Sequence, residues 1–282
     1  MIRSIKSFTD LTGAFSPASA ITITANSISH VLYTSKGREI FLALVQYSAE
    51  LYKQCMKDFA AAQEEDRWIG SVQSAKSIES SMSNGRKMIR FLRFLDEVGA
   101  VEKLIENTKA WSVVPALKMM SHAASFLYYV LDNFVLASSI GIISKFIATI
   151  NIKWKNTKDM TSFVRCVLEV IIVGLTLRET RQSIRVAEMQ LRSGHQTTLT
   201  LQSKNFEILA KLLANRRRLR FMYLDLIQNC LRLLMLVKAL GLPGNKQLSS
   251  IFLAGVGVTT SALAVFKILT EQPTVVKVEA PK

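Results

Sequence analysis

Asn84-Gly-Arg-Lys-Met-Ile-Arg-Phe-Leu-Arg-Phe-Leu-Asp-Glu-Val-Gly-Ala-Val-Glu-Lys-Leu-Ile-Glu106 is the most informative stretch of this chain. Wound at about 3.6 residues per turn, it places Arg86, Arg90, Arg93 and Glu97 on one charged stripe, with Lys87 beside it. Met88, Phe91, Leu92, Leu95 and Val98 fall at i, i+3, i+4, i+7 and i+10 and form a broad apolar face. A basic stripe beside a face of Phe and Leu suits the boundary between phospholipid head groups and acyl chains. The same periodicity describes a core helix of a soluble bundle. The rest of the chain decides between them.

Its 282 residues carry 36 Lys+Arg against 21 Asp+Glu, a net charge of +15, with 49% hydrophobic residues. Basic soluble proteins are usually hydrophilic, yet here the mean hydropathy is +0.24. That pairing favours an anionic phospholipid membrane over nucleic acid, and no nucleic-acid-binding module interleaves aromatics with the basic residues. Cys55, Cys166 and Cys230 stand singly in apolar helical runs, so they give no disulfide framework and fit a reducing compartment. His30, His122 and His195 have no Cys, Asp or Glu at ligand spacing, so no metal and no cofactor is expected. No nucleophile elbow or phosphate-binding glycine loop occurs either. The chain does not read as an enzyme.

Helical periodicity dominates outward from residues 84–106, and the expected class is all-α: a membrane-associated bundle with amphipathic helices and at least one C-terminal transmembrane helix. Residues 1–35, with 12 Ser or Thr, read as a flexible tail, and 271–282 as a second tail around one helical domain, 36–270. A first helix is expected from Arg38 to Phe59 and a short one over Trp68–Glu79, broken by Ser81-Met-Ser-Asn-Gly85. The apolar segment 119–150 is interrupted by Asp132, which favours an interfacial or protein-buried position over the alternative, a span with that carboxylate shielded inside a bundle. Residues 163–177 are apolar too, but Arg165 and Glu169 argue against a span. A basic amphipathic helix covers 206–240, ended by Gly241 and Pro243.

Leu248–Phe266 then gives 19 consecutive uncharged residues between Lys246 and Lys267, the one segment that reads as a transmembrane helix. Ser250, Ala254, Gly257, Ser261 and Ala264 line one side of it. Such a small face lets helices approach closely in lipid, and self-association is expected there.

Four segments in order resemble the peroxisomal biogenesis factor 11 family. Lys36-Gly-Arg-Glu-Ile-Phe-Leu-Ala-Leu-Val-Gln-Tyr47 is similar to its opening helix, and Arg86-Lys-Met-Ile-Arg-Phe-Leu-Arg-Phe-Leu95 to its amphipathic signature. Tyr128-Tyr-Val-Leu-Asp-Asn-Phe-Val135, running to Ile140-Gly141, resembles its Tyr-Leu-Asp-Asn stretch. Leu224-Asp-Leu-Ile-Gln-Asn-Cys-Leu231, leading to Leu240-Gly-Leu242, resembles the segment before its C-terminal span. The likeness covers roughly residues 36–270; the long lead and the polar tract near Ser193–Ser203 stand outside it.

The resemblance implies an integral protein of the peroxisomal membrane, or of the glycosomal membrane in kinetoplastids, that curves and elongates the organelle before fission. It implies self-association into homo-oligomers and work with a dynamin-like fission machinery and its adaptors. It also leaves an alternative, a channel for small metabolites in the same membrane. Membrane binding then falls to Arg86, Lys87, Arg90, Phe91, Leu92, Arg93, Leu95 and Val98. Lys211, Arg216, Arg217, Arg218 and Arg220, close to the apolar run Leu224–Leu240, resemble an internal signal read by the import receptor for peroxisomal membrane proteins.

Overall fold

A computed structural model describes residue 29 and residues 31–63, 68–108, 112–141, 145–193, 199–244 and 248–270. Every regular element among them is an α-helix. These are α1 (Ser35–Gln63), α2 (Ile69–Ile89), α3 (Phe94–Asn107), α4 (Val113–Ser139), α5 (Lys145–Ser193), α6 (Leu199–Ala239) and α7 (Ser250–Thr270). Of the expected tail 1–35, residues 1–28 and 30 lie outside the described residues, as do the expected tail 271–282 and Lys246, whereas residues 29, 31–33 and 35 are helical.

Two expected boundaries are corrected. Residues 81–85 do not break α2, which runs through them to Ile89. Gly85 serves as a point of close approach instead: a Cβ there would sit 3.3 Å from Leu42 Cδ1 of α1. Lys53–Glu79, Gln46–Arg86 and Glu39–Arg93 pair in opposite directions along α1 and α2, so the two form an antiparallel hairpin.

The second correction concerns residues 84–106, which form two helices rather than one. The chain turns at 90–93, where Phe91 N–H donates to Met88 O and Arg93 N–H to Arg90 O, at 3.1 and 3.0 Å. Leu92 sits in the left-handed region at φ 61°, an uncommon conformation for a bulky side chain. The four-residue step between α2 and α3 coincides with bonds made to other helices by Arg90, described below.

The end of α6 is as expected. Gly241 takes φ 66°, while Leu242 N–H donates to Val237 O at 3.0 Å and Gly241 N–H to Lys238 O at 3.2 Å. That double closure satisfies the last carbonyls and releases the chain into the turn before α7.

Neighbouring helices close a ring. α1 packs on α2 and α7, α7 on α6, α6 on α5, α5 on α4, and α4 returns to α2 while α3 lies across it. The interior of this ring holds apolar residues such as Leu131, Leu136, Leu168, Ile172 and Val256 together with polar ones. The buried polar positions include Ser121, Ser125, Asp132, Ser162, Gln228, Asn229, Thr260 and Ser261. Large apolar side chains point outward: Met120, Leu127 and Phe134 at seven-residue steps on α4, Val164 and Ile171 on α5, Ile227 and Leu234 on α6, Phe252 and Phe266 on α7. Single exposed apolar residues are ordinary, but stripes of them on four adjacent helices are not.

Two helices contain stretches long and apolar enough to cross a membrane, one within α5 and the other α7. The first departs from expectation, because Arg165 and Glu169 weighed against it. Both charges turn to protein neighbours: Arg165 lies over the Tyr128 ring at 5.3 Å, and Glu169 accepts a 2.6 Å hydrogen bond from Ser121.

Candidate functional site

Asp132 on α4 is 2% exposed, at the centre of a charge cluster drawn from α1, α4, α5 and the turn between α2 and α3. Arg90 Nη2 lies 2.9 Å from one carboxylate oxygen and Lys158 Nζ 3.3 Å from the other. Arg90 Nη1 also donates to the Tyr128 hydroxyl at 2.7 Å and approaches Glu39 at 3.8 Å. Arg93 pairs with Glu39 and lies over the Tyr129 ring at 5.4 Å. Burial pulls the Arg90 guanidinium down, but Tyr128, Asp132 and Glu39 outweigh it and hold it above its ordinary value. A carboxylate this buried is stable only with partners of this kind. Its ion pair with Asp132 holds Arg90 inward, at the point where the chain turns at residues 90–93.

The basic stripe therefore faces the bundle rather than the surroundings, contrary to the expectation that it lies against head groups. Arg86 donates to Gln46 at 2.9 Å and covers the Tyr47 ring; Arg90 and Arg93 join the cluster above. Lys87 is half-buried, and burial, then the nearby Lys158, lower its ammonium below the usual lysine range. Glu97, the stripe's last member, contacts His122 Nδ1 at 2.7 Å.

What the turn exposes is the apolar half of the motif. Phe91 is 56% exposed, and Met88, Leu92, Leu95 and Val98 stand out with it, continued by Ile105 on α3. The sequence placed these residues on one face of one helix; the structure distributes them over the end of α2, the turn and α3. Sequence reasoning missed Glu39, Tyr128, Tyr129, Lys158 and Arg165 as the partners that set their direction. The signal was Asp132 itself, since an acid in an uncharged run requires a cation from another helix.

The remaining expected sites part in two directions. Ala254, Gly257, Ser261 and Ala264 are buried within the chain, and only Ser250 of that face is exposed. A Cβ on Gly257 would fall 2.4 Å from Cδ1 of Tyr47 on α1. The small face is thus occupied inside one molecule, which corrects its reading as a contact between copies. Lys211, Arg216, Arg217, Arg218 and Arg220 are all exposed on α6. Within that group Lys211 pairs with Glu207, Arg216 with Glu188, and Arg217 donates to Thr270 O.

Between the helices of the ring lies a half-open cavity of about 380 Å³ with charged and amide groups in its wall. Arg165 and Glu169 of α5, Gln228, Asn229 and Arg232 of α6, and Ser125 of α4 contribute to its wall. Among the described residues no group of three or more His, Cys, Asp or Glu could hold a metal ion.

The family model described as Peroxisomal biogenesis factor 11 (PEX11) matches residues 25–269 of the chain. No curated protein and no solved structure matches it.

Proposed function

The chain belongs to the peroxisomal biogenesis factor 11 family, and we propose that, as a peroxisomal membrane protein of organelle biogenesis and proliferation, it is integral to that membrane and curves and elongates it before fission. The observation that carries this reading is the pair of long apolar stretches in α5 and α7, together with the exposed apolar stripes on α4 to α7. α5 and α7 cross the bilayer. α6 packs antiparallel between them: Arg181 meets Tyr223 and Arg216 meets Glu188 on one side, Asp225 meets Lys267 and Lys238 meets Leu248 on the other. Its polar Gln228 and Asn229 are buried against neighbours.

The wedge in this scheme is the turn, not a continuous basic helix. Phe91, Leu92 and Leu95 enter one leaflet by about 5–10 Å, while Arg90 and Arg93 hold the turn from inside. Replacing Phe91 and Leu95 by Glu is expected to abolish elongation of peroxisomes on overexpression while the protein stays in the membrane. Tubule length by fluorescence microscopy measures this; unchanged tubules would count against the wedge. The exposed arginines at 216–220 remain the proposed address for the import receptor. Neutralising all four is expected to send a tagged copy elsewhere, and unaltered peroxisomal targeting would leave them a solvated face.

Homo-oligomers and a dynamin-like fission machinery with its adaptors are the partners this role calls for; in a kinetoplastid the membrane would be glycosomal. A second reading, passage of small metabolites, is supported by the half-open cavity between the helices of the ring. Bilayer conductance that changes with Arg232→Gln would favour it.

A further inference from the structure

A basic groove opens where the apolar stretch of α5 ends. Gly174, Arg178, Arg181 and Arg185 of α5 and Tyr223 and Leu226 of α6 line a cavity of about 620 Å³ whose wall contains no carboxylate. All three arginines are exposed, and among the described residues none has a carboxylate at ion-pair distance. Arg181 donates to the Tyr223 hydroxyl and lies over that ring at 5.5 Å, which fixes one guanidinium at the rim. Three such groups within two turns of a helix form a site for a multiply bonded oxyanion.

The shape below the arginines identifies what carries the anion. Val164, Ile171, Arg178 and Arg185 recur at seven-residue steps and share one stripe of α5, apolar for its first two members and basic for its last two. Val164 and Ile171 are exposed, as are Ile227 and Leu234 on α6. Nothing lies within 4 Å of the position a Cβ would take on Gly174, so the groove is open between the basic and apolar levels. A free phosphate would use the upper level alone.

We propose that this α5–α6 groove binds one anionic phospholipid, with its phosphate on Arg178, Arg181 and Arg185 and an acyl chain along Ile171 and Val164. Basic pockets between spanning helices are suited to head groups of this class. The inference rests on the reading that α5 crosses the membrane, which puts the arginines at head-group depth.

The test is native mass spectrometry of the full chain in detergent, titrated with phosphatidic acid or phosphatidylcholine. The parent is expected to retain one phosphatidic acid and no phosphatidylcholine. Arg178→Gln with Arg181→Gln and Arg185→Gln is expected to weaken retention by about a hundredfold. The matching Arg→Lys triple should recover part of it, and Gly174→Leu should weaken lipid retention without changing charge. Circular dichroism of each variant identifies any that fail to fold, and the Arg→Lys and Gly174→Leu arms keep the test decisive. Undiminished retention by the folded Gln triple would overturn the proposal. Displacement of the lipid by equimolar glycerol phosphate would overturn it in favour of a soluble phosphate. Carbonate extraction of the parent tests the spanning reading separately, since release would refute that reading whatever the lipid titration gives.

Discussion

Asp132→Leu is expected to destabilise the protein by about 3–5 kcal/mol, because it removes one partner of a buried ion cluster and leaves the others charged. The carboxylate is 2% exposed and sits between Arg90 at 2.9 Å and Lys158 at 3.3 Å. Without it, two cations remain inside the ring with only Tyr128 and the more distant Glu39 to meet Arg90. Against a typical stability of about 5–15 kcal/mol, that is a large fraction. The melting temperature in detergent should fall by about 10 °C. The turn at residues 90–93 should become a site of tryptic cleavage, since Arg90 no longer has its anchor. Converting all three members to apolar residues, Arg90→Met, Asp132→Leu and Lys158→Met, should recover most of the loss, because no charge is then stranded. A single variant melting with the parent would show that the cluster does not hold the fold.

Gly257→Leu should separate the first helical hairpin from the last helix. A Cβ at this position lies 2.4 Å from Tyr47 Cδ1 and 2.5 Å from Cγ, and Cγ is the base of the ring rather than a flexible end. Overpacking of this kind costs about 1–3 kcal/mol. The expected result is protease sensitivity of α1 and α2 with no change in carbonate resistance, since α7 becomes no less apolar. Tyr47→Ala in the same molecule should restore protection by vacating the space. If Gly257→Leu instead leaves α1 and α2 protected but lowers cross-linked dimers, the small face meets a second copy after all.

These two sites mark how far the sequence was legible. The 19 uncharged residues of Leu248–Phe266 and the Gly241 closure are local signals, and both appear in the structure. The amphipathic pattern at Arg86–Val98 was equally clear, but a period says only that two faces differ. It does not say which face meets protein when the outer medium is lipid. The answer came from Glu39 and Asp132, 54 and about 40 positions from the arginines they hold. The turn at 90–93 has no Gly or Pro to announce it, and Leu92 takes φ 61° between Arg90 and Arg93, which are both held by tertiary bonds. Gly85 misled in the opposite sense: its missing side chain makes room for Leu42 rather than ending a helix. Arg165 and Glu169 were weighed as uncompensated charges because their partners, Tyr128 and Ser121, lie on another helix.

The contact between α1 and α7 also sets an order of events during synthesis. Every other neighbour in the ring is within three helices along the chain, so those pairs can form as the polypeptide emerges. The seam at Tyr47 and Gly257 joins positions more than two hundred residues apart and waits for the last helix to be made. Until then the side of Tyr47 that meets Gly257 lacks its partner, although Arg86 of α2 already covers the ring, and the nascent chain presents an open edge. Completion of the ring thus comes after every other pairing in it, and the interval before it is when an escort has access to surface that the finished molecule hides.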